Sequence, residues 1–488
     1  MLGVSLDTPP PLPTPVPTPP PTLVPALPQP DFHRFNHGIA LLGGWFPLTV
    51  EIGVVVLLIA VIGWRTRRWR LVWVPVSVAI GAIGALVARG YVNSQSLPTD
   101  PAPQRLWLWV GVVIAATAIA VLGWRTARWW RRALSLLVIP LALVAVLLAA
   151  NQWLGYYRTL QSAWDALTAG PLPDEISAND LSALRNSVPS SGKLVKVTIP
   201  DNVSGFKHRA EFVYLPPAWF AGPAPPTLPA VMMIAGEFDS PDEWISSGKI
   251  LPAVDGYAHD HGGRAPILVF IDPGGVFNND TECVNGPRGN EADHLTKEVR
   301  PYMISKFGAS SAPAQWAVVG WSMGGACAID LTVMHPDLFS TFEDIAGDRG
   351  PGSGTKQQTI DRLYGGNAAQ WDAFDPRTVM ARHGPYAGVS GWFEDTTTPP
   401  NDLSRSLLGA FKNQPRPVAP LGYGGHDEWR DDETGAAQDL CAAATAVKIS
   451  CSVHTLVSFH TWSFASRAFS DALPWIAAQV HTPAAGGA

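Results

Sequence analysis

Gly320, Ser322 and Gly324 form a Gly-x-Ser-x-Gly run, with the apolar stretch Trp316–Val319 before it and small residues after it. A serine on so sharp a strand-to-helix turn has its Oγ held out from the backbone, the geometry of a nucleophile elbow. That geometry serves attack by an activated serine on an ester or a similar acyl group. The bare pattern is weak in a chain with 45 glycines, where an ordinary Gly-rich turn is the plain alternative. The flanks favour the chemical reading. Trp316–Val319 reads as a buried strand, and Gly324 and Gly325 let helix and strand pack closely. Ala326–Met334 continues as a helix that stops at His335 and Pro336.

The elements needed to position such a serine recur along residues 193–482. Strand-like runs fall at Leu194–Ile199, Ala210–Leu215, Ala230–Ile234, Ile267–Ile271, Trp316–Val319, Thr341–Ile345, Tyr386–Phe393 and Ser452–Val457. Helical stretches separate most of the later ones. This alternation predicts an α/β fold, a mainly parallel sheet with helices on both faces.

A nucleophile needs a base, and chain order points to His460. It follows the last apolar strand and precedes a final helix over Ser466–Val480, as in hydrolases ordered Ser, then Asp or Glu, then His. His454 lies inside that strand and reads as structural. His335 reads as a charged partner at the end of the nucleophile helix. Three carboxylates compete for the third place. Asp427 is favoured, because it sits in Gly424-Gly-His-Asp427, one helix and one strand before His460. Asp395 ends the run Tyr386–Phe393 and its Glu394-Asp395 extension, and Asp402 follows two prolines. An ordinary solvated acid is the alternative for each. An oxyanion hole needs two backbone N–H donors. Met323, just after the serine, would supply one. The loop Ala235–Phe238 after the third strand would supply the other, from Glu237.

The first third of the chain differs in composition. Twelve prolines fall in residues 1–30, so residues 1–36 are expected to be an extended tail without a core. Four apolar stretches follow, near 42–64, 71–92, 106–124 and 133–153, each long enough to span a hydrocarbon core of ~30 Å. Ile62–Trp69 recurs as Leu122–Trp129, which marks residues 37–153 as two duplicated helical hairpins. Arg65, Arg67, Arg68 and Arg70 crowd the first turn, and Arg125, Arg128, Arg131 and Arg132 the second. The positive-inside rule puts both turns in the cytoplasm and everything after residue 153 outside. Glu51 and Arg89 fall inside spans and are expected to form a structural ion pair. Residues 154–192 read as a polar, helical stalk, and residues 483–488 as a short disordered tail.

An exported domain suits disulfides. Cys441 and Cys451 flank a helix-to-strand return and are placed to pair. Cys283 and Cys327 would be the second pair, near Ser322. Buried free thiols remain the alternative, since pairing is not read from sequence. A net charge of −6 argues against nucleic acid as a partner.

Residues 193–480 resemble the putative-esterase family of α/β hydrolases, which includes esterase D-type enzymes and mycolyltransferases. The matching segments are Arg209–Pro217, Thr281–Val284, Gly320–Gly325, His335–Phe339 and His460–Trp462. The resemblance implies an α/β-hydrolase fold with Ser322 as nucleophile, His460 as base, and Glu237 and Met323 as oxyanion donors. It implies no metal and no cofactor. The chain departs from the secreted mycolyltransferases by its four spans. A second departure is an enlarged segment at 347–434, expected to form a lid. The expectation is a membrane-anchored, extracytoplasmic serine esterase or acyltransferase on the plasma membrane, acting on an acyl-ester lipid or envelope glycolipid. Hydrolysis of aminoacyl-phospholipid esters is a second substrate class. A catalytically silent module that binds glycolipid or a partner is the rival from another class.

Overall fold

The computed structural model describes residues 38–482, apart from residues 64, 95–101, 155, 158, 169–171, 277–278, 398–432 and 459. The tails expected at 1–36 and 483–488 therefore lie outside the described residues, as do Asp402 and Asp427.

Among the described residues, four helices are long and apolar enough to cross a membrane. They are α1 (Trp45–Ile62), α2 (Val74–Ser94), α3 (Gln104–Gly123) and α4 (Trp129–Leu154), with a π-helical turn at Trp69–Trp73 leading into α2. Ile59, Leu86 and Leu147 are among the many large apolar side chains on their outer surface. So dense an apolar exterior suits lipid rather than water. The packing order is α1 on α4, α4 on α3 and α3 on α2.

That order corrects the expected Glu51–Arg89 pair. Arg89 lies on α2 and is exposed, whereas α1 packs on α4. Glu51 Oε1 instead accepts from Arg105 of α3, at 2.6 Å from Nη2 and 2.9 Å from Nε. The Trp109 indole N–H donates to the same oxygen at 3.0 Å. The two Arg-rich turns also meet. Arg65 lies over the Trp69 ring at 4.3 Å and donates to the Gly123 carbonyl at 3.2 Å.

The segment expected as a stalk holds α5 (Leu160–Leu167) and a two-residue strand, β1 (Glu175–Ile176). β1 pairs with the next strand, so the sheet begins before residue 193. The other strands of this sheet are β2 (Lys193–Val197), β3 (Glu211–Leu215), β4 (Ala230–Ile234), β5 (Ile267–Phe270), β6 (Trp316–Trp321), β7 (Thr341–Ile345), β8 (Ser390–Thr397) and β9 (Ser450–Val457). They line up as β1-β2-β3-β5-β4-β6-β7-β8-β9. Only β3 runs against its neighbours β2 and β5, and every other pairing is parallel.

Period-two alternation divides the buried side chains between two faces. In β4, Met232 and Ile234 pack with Val318, Ile329 and Leu331 on one face. Val231 and Met233 pack with Val319, Val254 and Phe469 on the other. Both faces are covered by helices, which is why the central strands read as unbroken apolar runs. Each large apolar side chain fully buried there contributes about 1.5–3 kcal/mol. α6 (Met323–Met334) and α7 (Glu433–Ala446) cover the first face, and α8 (Trp462–Gln479) the second.

The enlarged segment is partly described. Helices at Lys356–Leu363, Ala368–Phe374 and Pro376–His383 precede β8. Ile360, Leu363, Trp371 and Phe374 close a satellite core with Val284 and Ala292. The described part is thus docked on the domain, and the rest of the expected lid, 398–432, lies outside the described residues.

Candidate active site

β6 ends at Trp321 and α6 begins at Met323, so Ser322 alone makes the turn between them. Its φ of 58° and ψ of −120° lie where L side chains are rarely found. The turn is pinned on both sides. The Ser322 N–H donates to Ile345 O of β7 at 2.9 Å, and the Ser322 carbonyl accepts from Gly325 N–H at 2.8 Å. The motif glycines are needed for close approach. A Cβ at Gly320 would overlap the Gly324 carbonyl, and a Cβ at Gly324 would overlap the Ile234 carbonyl.

His460 lies between β9 and α8, and its Nε2 stands 3.0 Å from Ser322 Oγ. That is the reach a general base needs to take the hydroxyl proton. The Trp321 ring lies against the imidazole with centroids 4.0 Å apart, and Trp462 and Phe464 back the indole. The two other histidines behave differently. His454 stacks on Trp392 at 3.7 Å and bonds Ser452, a structural role as expected. Burial holds His335 below the ordinary imidazole range, which favours a neutral ring over the charged helix partner expected from the sequence.

Sheet register places one of the three candidate acids. Trp321 of β6 pairs with Ile345 of β7, and Ile345 pairs with Glu394 of β8. Ser322 and Asp395 are each one residue further along. They therefore share a level at the C-terminal edge of the sheet, two strands apart, or about 10 Å by ordinary strand spacing. Asp395 is buried and pairs in register with Thr455 of β9, five residues before His460. The strand is shifted four residues from the expected Tyr386–Phe393, because it runs from Ser390 to Thr397 and contains both acids. Glu394 faces the other way. It accepts from the Trp392 indole at 2.9 Å, and burial pushes its carboxyl up to about 7.

The loop after β4 borders the serine. A Cβ on Gly236 would lie 3.3 Å from Ser322 Cβ. Gly236 N–H donates to Asp239 Oδ2 at 2.8 Å, which closes the loop around Glu237 and Phe238. Met323 is the first residue of α6, so its N–H has no acceptor within the helix. Asp239 was not singled out in the sequence, although a Gly-x-x-Asp spacing is the signal of a side chain closing its own turn.

Both expected disulfides form. Cys283–Cys327 ties the loop after β5 to α6, and Cys441–Cys451 ties α7 to β9, with Cα atoms 5.7 and 5.8 Å apart. His208, Glu211 and His294 are grouped closely enough to hold a metal ion. Their donors already serve one another and the backbone. His208 reaches the carbonyls of Arg209 and Ile199 at 2.8 and 2.9 Å, and His294 reaches Glu298 and Glu211 at 2.8 and 3.2 Å. The cluster reads as a buried hydrogen-bonded network.

The chain is similar to several known proteins. An uncharacterised protein of Corynebacterium glutamicum is 29% identical over 360 residues, covering 71% of this chain and 83% of that one. An S-formylglutathione hydrolase from Agrobacterium tumefaciens superposes with a TM-score of 0.46 at 14% identity, over 60% of this chain and 97% of its own. MPT51 of Mycobacterium tuberculosis superposes with a TM-score of 0.40 at 15% identity, over 58% and 97%. The sequence profile of the family described as "Putative esterase" matches residues 207–469, more than half of the chain. With that match and the elbow geometry together, the chain belongs to the putative esterase family of α/β hydrolases.

Proposed function

We propose that the protein is a membrane-anchored serine esterase or acyltransferase with its catalytic domain outside the cytoplasm, acting on an acyl ester of a lipid or envelope glycolipid. The 3.0 Å approach of His460 Nε2 to a serine on a strained elbow carries this reading. His460 takes the Ser322 proton as Oγ attacks the acyl carbon. The Met323 and Glu237 N–H groups receive the developing oxyanion, and the leaving alkoxide takes the proton back from His460. Water or another hydroxyl then releases the acyl group from Ser322. Asp395 is the acid we assign to orient His460. Its burial and its place in the row of the nucleophile support it over Asp427 and Asp402, which lie outside the described residues. Labelling of the full chain by a fluorophosphonate probe tests the assignment. An unlabelled wild-type chain would point instead to a silent module that binds an envelope glycolipid.

A second substrate class, an aminoacyl ester of a phospholipid, has one observation in its favour. Asp280, Asp348 and Glu237 all lie close enough to raise the buried Glu282 carboxyl further, after burial itself. Glu237 belongs to the loop after β4, so this acidic group lies beside it, and a substrate ammonium group there would draw the raised carboxyls back toward their charged form. Turnover of an alanyl ester compared with an acetyl ester of the same alcohol separates the two classes. Equal rates would remove the aminoacyl reading.

The outward orientation rests on the Arg-rich turns. Cysteines introduced as Asp100→Cys and Gly170→Cys should react with an impermeant thiol reagent on intact cells, whereas Arg67→Cys and Arg128→Cys should stay unlabelled. The reverse pattern would put the catalytic domain in the cytoplasm.

A further inference from the structure

The chain that leaves the membrane region runs directly onto the loop beside the candidate nucleophile. α4 ends at Leu154, and Tyr156 follows two residues later. Two residues of extended chain span at most ~7 Å. Trp153, in the last turn of α4, packs its ring against Phe238 with centroids 6.0 Å apart. The Tyr156 side chain lies within hydrogen-bonding reach of the Asp239 carboxyl. Phe238 and Asp239 belong to the loop that carries Glu237 past Ser322.

Asp239 is the hub of that loop. It is buried, at 4% exposure. Its Oδ2 accepts from Gly236 N–H at 2.8 Å, and Trp462, two residues after His460, also lies within reach of the carboxyl. Arg209 fixes the other side by donating to the Asp239 carbonyl at 2.7 Å. Burial, with Glu243 nearby, pushes the Asp239 carboxyl well above the usual range, and the hydrogen bonds from Tyr156, Gly236 and Trp462 oppose that push. A carboxyl with such demands has one satisfied orientation. Removing one of its side-chain partners lets it turn, and the Gly236 and Glu237 N–H groups turn with it.

We propose that Tyr156 is a positioning residue: acting through Asp239, it holds the Ala235–Asp239 loop so that the Glu237 N–H faces the oxyanion formed at Ser322. The membrane-proximal chain is thereby part of the catalytic architecture as well as a tether. This inference rests on the assignment of Ser322, His460 and Glu237 given above.

The test uses the full-length protein in detergent and a short p-nitrophenyl ester. Tyr156→Phe should lower kcat by roughly tenfold with KM unchanged, since a misplacement on the order of 1 Å costs about 10²-fold and a loop still held by the Gly236 and Arg209 bonds shifts by less. The rate of fluorophosphonate labelling should fall in parallel, and Tm should hold. A merely structural role would lower Tm and the yield of folded protein but leave kcat per folded molecule as it was. Tyr157→Phe, one residue on, should leave kcat unchanged. Asp239→Asn should lose at least as much as Tyr156→Phe, and the double variant should be no slower than Asp239→Asn alone, because both act through one carboxyl. Wild-type kcat in Tyr156→Phe, a rise in KM alone, or additive losses in the double variant would each overturn the proposal. If the wild-type chain itself is not labelled, the assignment of Ser322 fails first. If it is labelled and Tyr156→Phe is neutral, only the role of Tyr156 fails.

Discussion

Ser322→Ala should reduce turnover of a short p-nitrophenyl ester by on the order of 10⁶-fold while far-UV CD and Tm stay as in the wild type. The expected size follows from the reaction type. With Oγ gone, no acyl-enzyme forms, and what remains is the help that the oxyanion donors and substrate binding give to direct attack by water. His460→Ala should cost a comparable amount, because the hydroxyl 3.0 Å from His460 Nε2 is a poor nucleophile until its proton is taken. The two losses should not add, since nucleophile and base act as one unit. Replacement of Ser322 is not expected to weaken the fold. The residue is half-buried, its backbone bonds to Ile345 and Gly325 survive the change, and the strain of the positive φ is present in either variant. Retention of more than about one-thousandth of the wild-type rate would assign the chemistry to another residue. A double variant far slower than either single one would show that Ser322 and His460 act in separate steps.

The parts of this molecule that were legible in the sequence are those set by local sterics or by length. Gly320 and Gly324 announce the elbow because the backbone of α6 must touch β4 and β6, and only glycine permits that approach. The four long apolar helices are legible because their length and composition are those that crossing a lipid core demands. His460 is legible from chain order alone. What was not legible depends on which elements become neighbours. Glu51 finds Arg105 rather than Arg89 because α1 packs on α4, next to α3, and helix order is not written in hydropathy. β1 is two residues long, too short for any periodicity, yet it extends the sheet. Tyr156 and Asp239 are 83 residues apart and meet only when the membrane-proximal chain docks on the loop after β4. In the sequence, turn chemistry favours Asp427, in a Gly-Gly-x-Asp loop, and Asp395 reads as the tail of an apolar strand. The pairing of β7 with β8 gives Asp395 its level beside Ser322, and register is a tertiary property.

Asp395→Asn should lower kcat by about 10⁴-fold without unfolding the domain. The acid of such a triad holds the imidazole in the tautomer that leaves Nε2 free to accept, and it stabilises the imidazolium once the proton has moved. An amide can present N–H where the carboxylate presented only acceptors, so it favours the wrong tautomer at nearly unchanged shape. Three facts support Asp395 for this task. It lies at the level of Ser322 on the C-terminal edge of the sheet, it is 1% exposed, and β9 beside it leads into the His460 loop. Glu394 is the matched control one residue away. It faces the opposite side of the sheet, bonds the Trp392 indole, and is already pushed up to about 7, so Glu394→Gln should change kcat little. Asp402→Asn should also be nearly neutral. Asp427→Asn separates the two arrangements that the chain order allows. If Asp395 is the acid, residues 398–432 are an insertion after it, and Asp427→Asn keeps most of the rate. If Asp427→Asn is the crippling change and Asp395→Asn is mild, the acid reaches His460 from that insertion, and Asp395 is a buried carboxyl of the sheet edge.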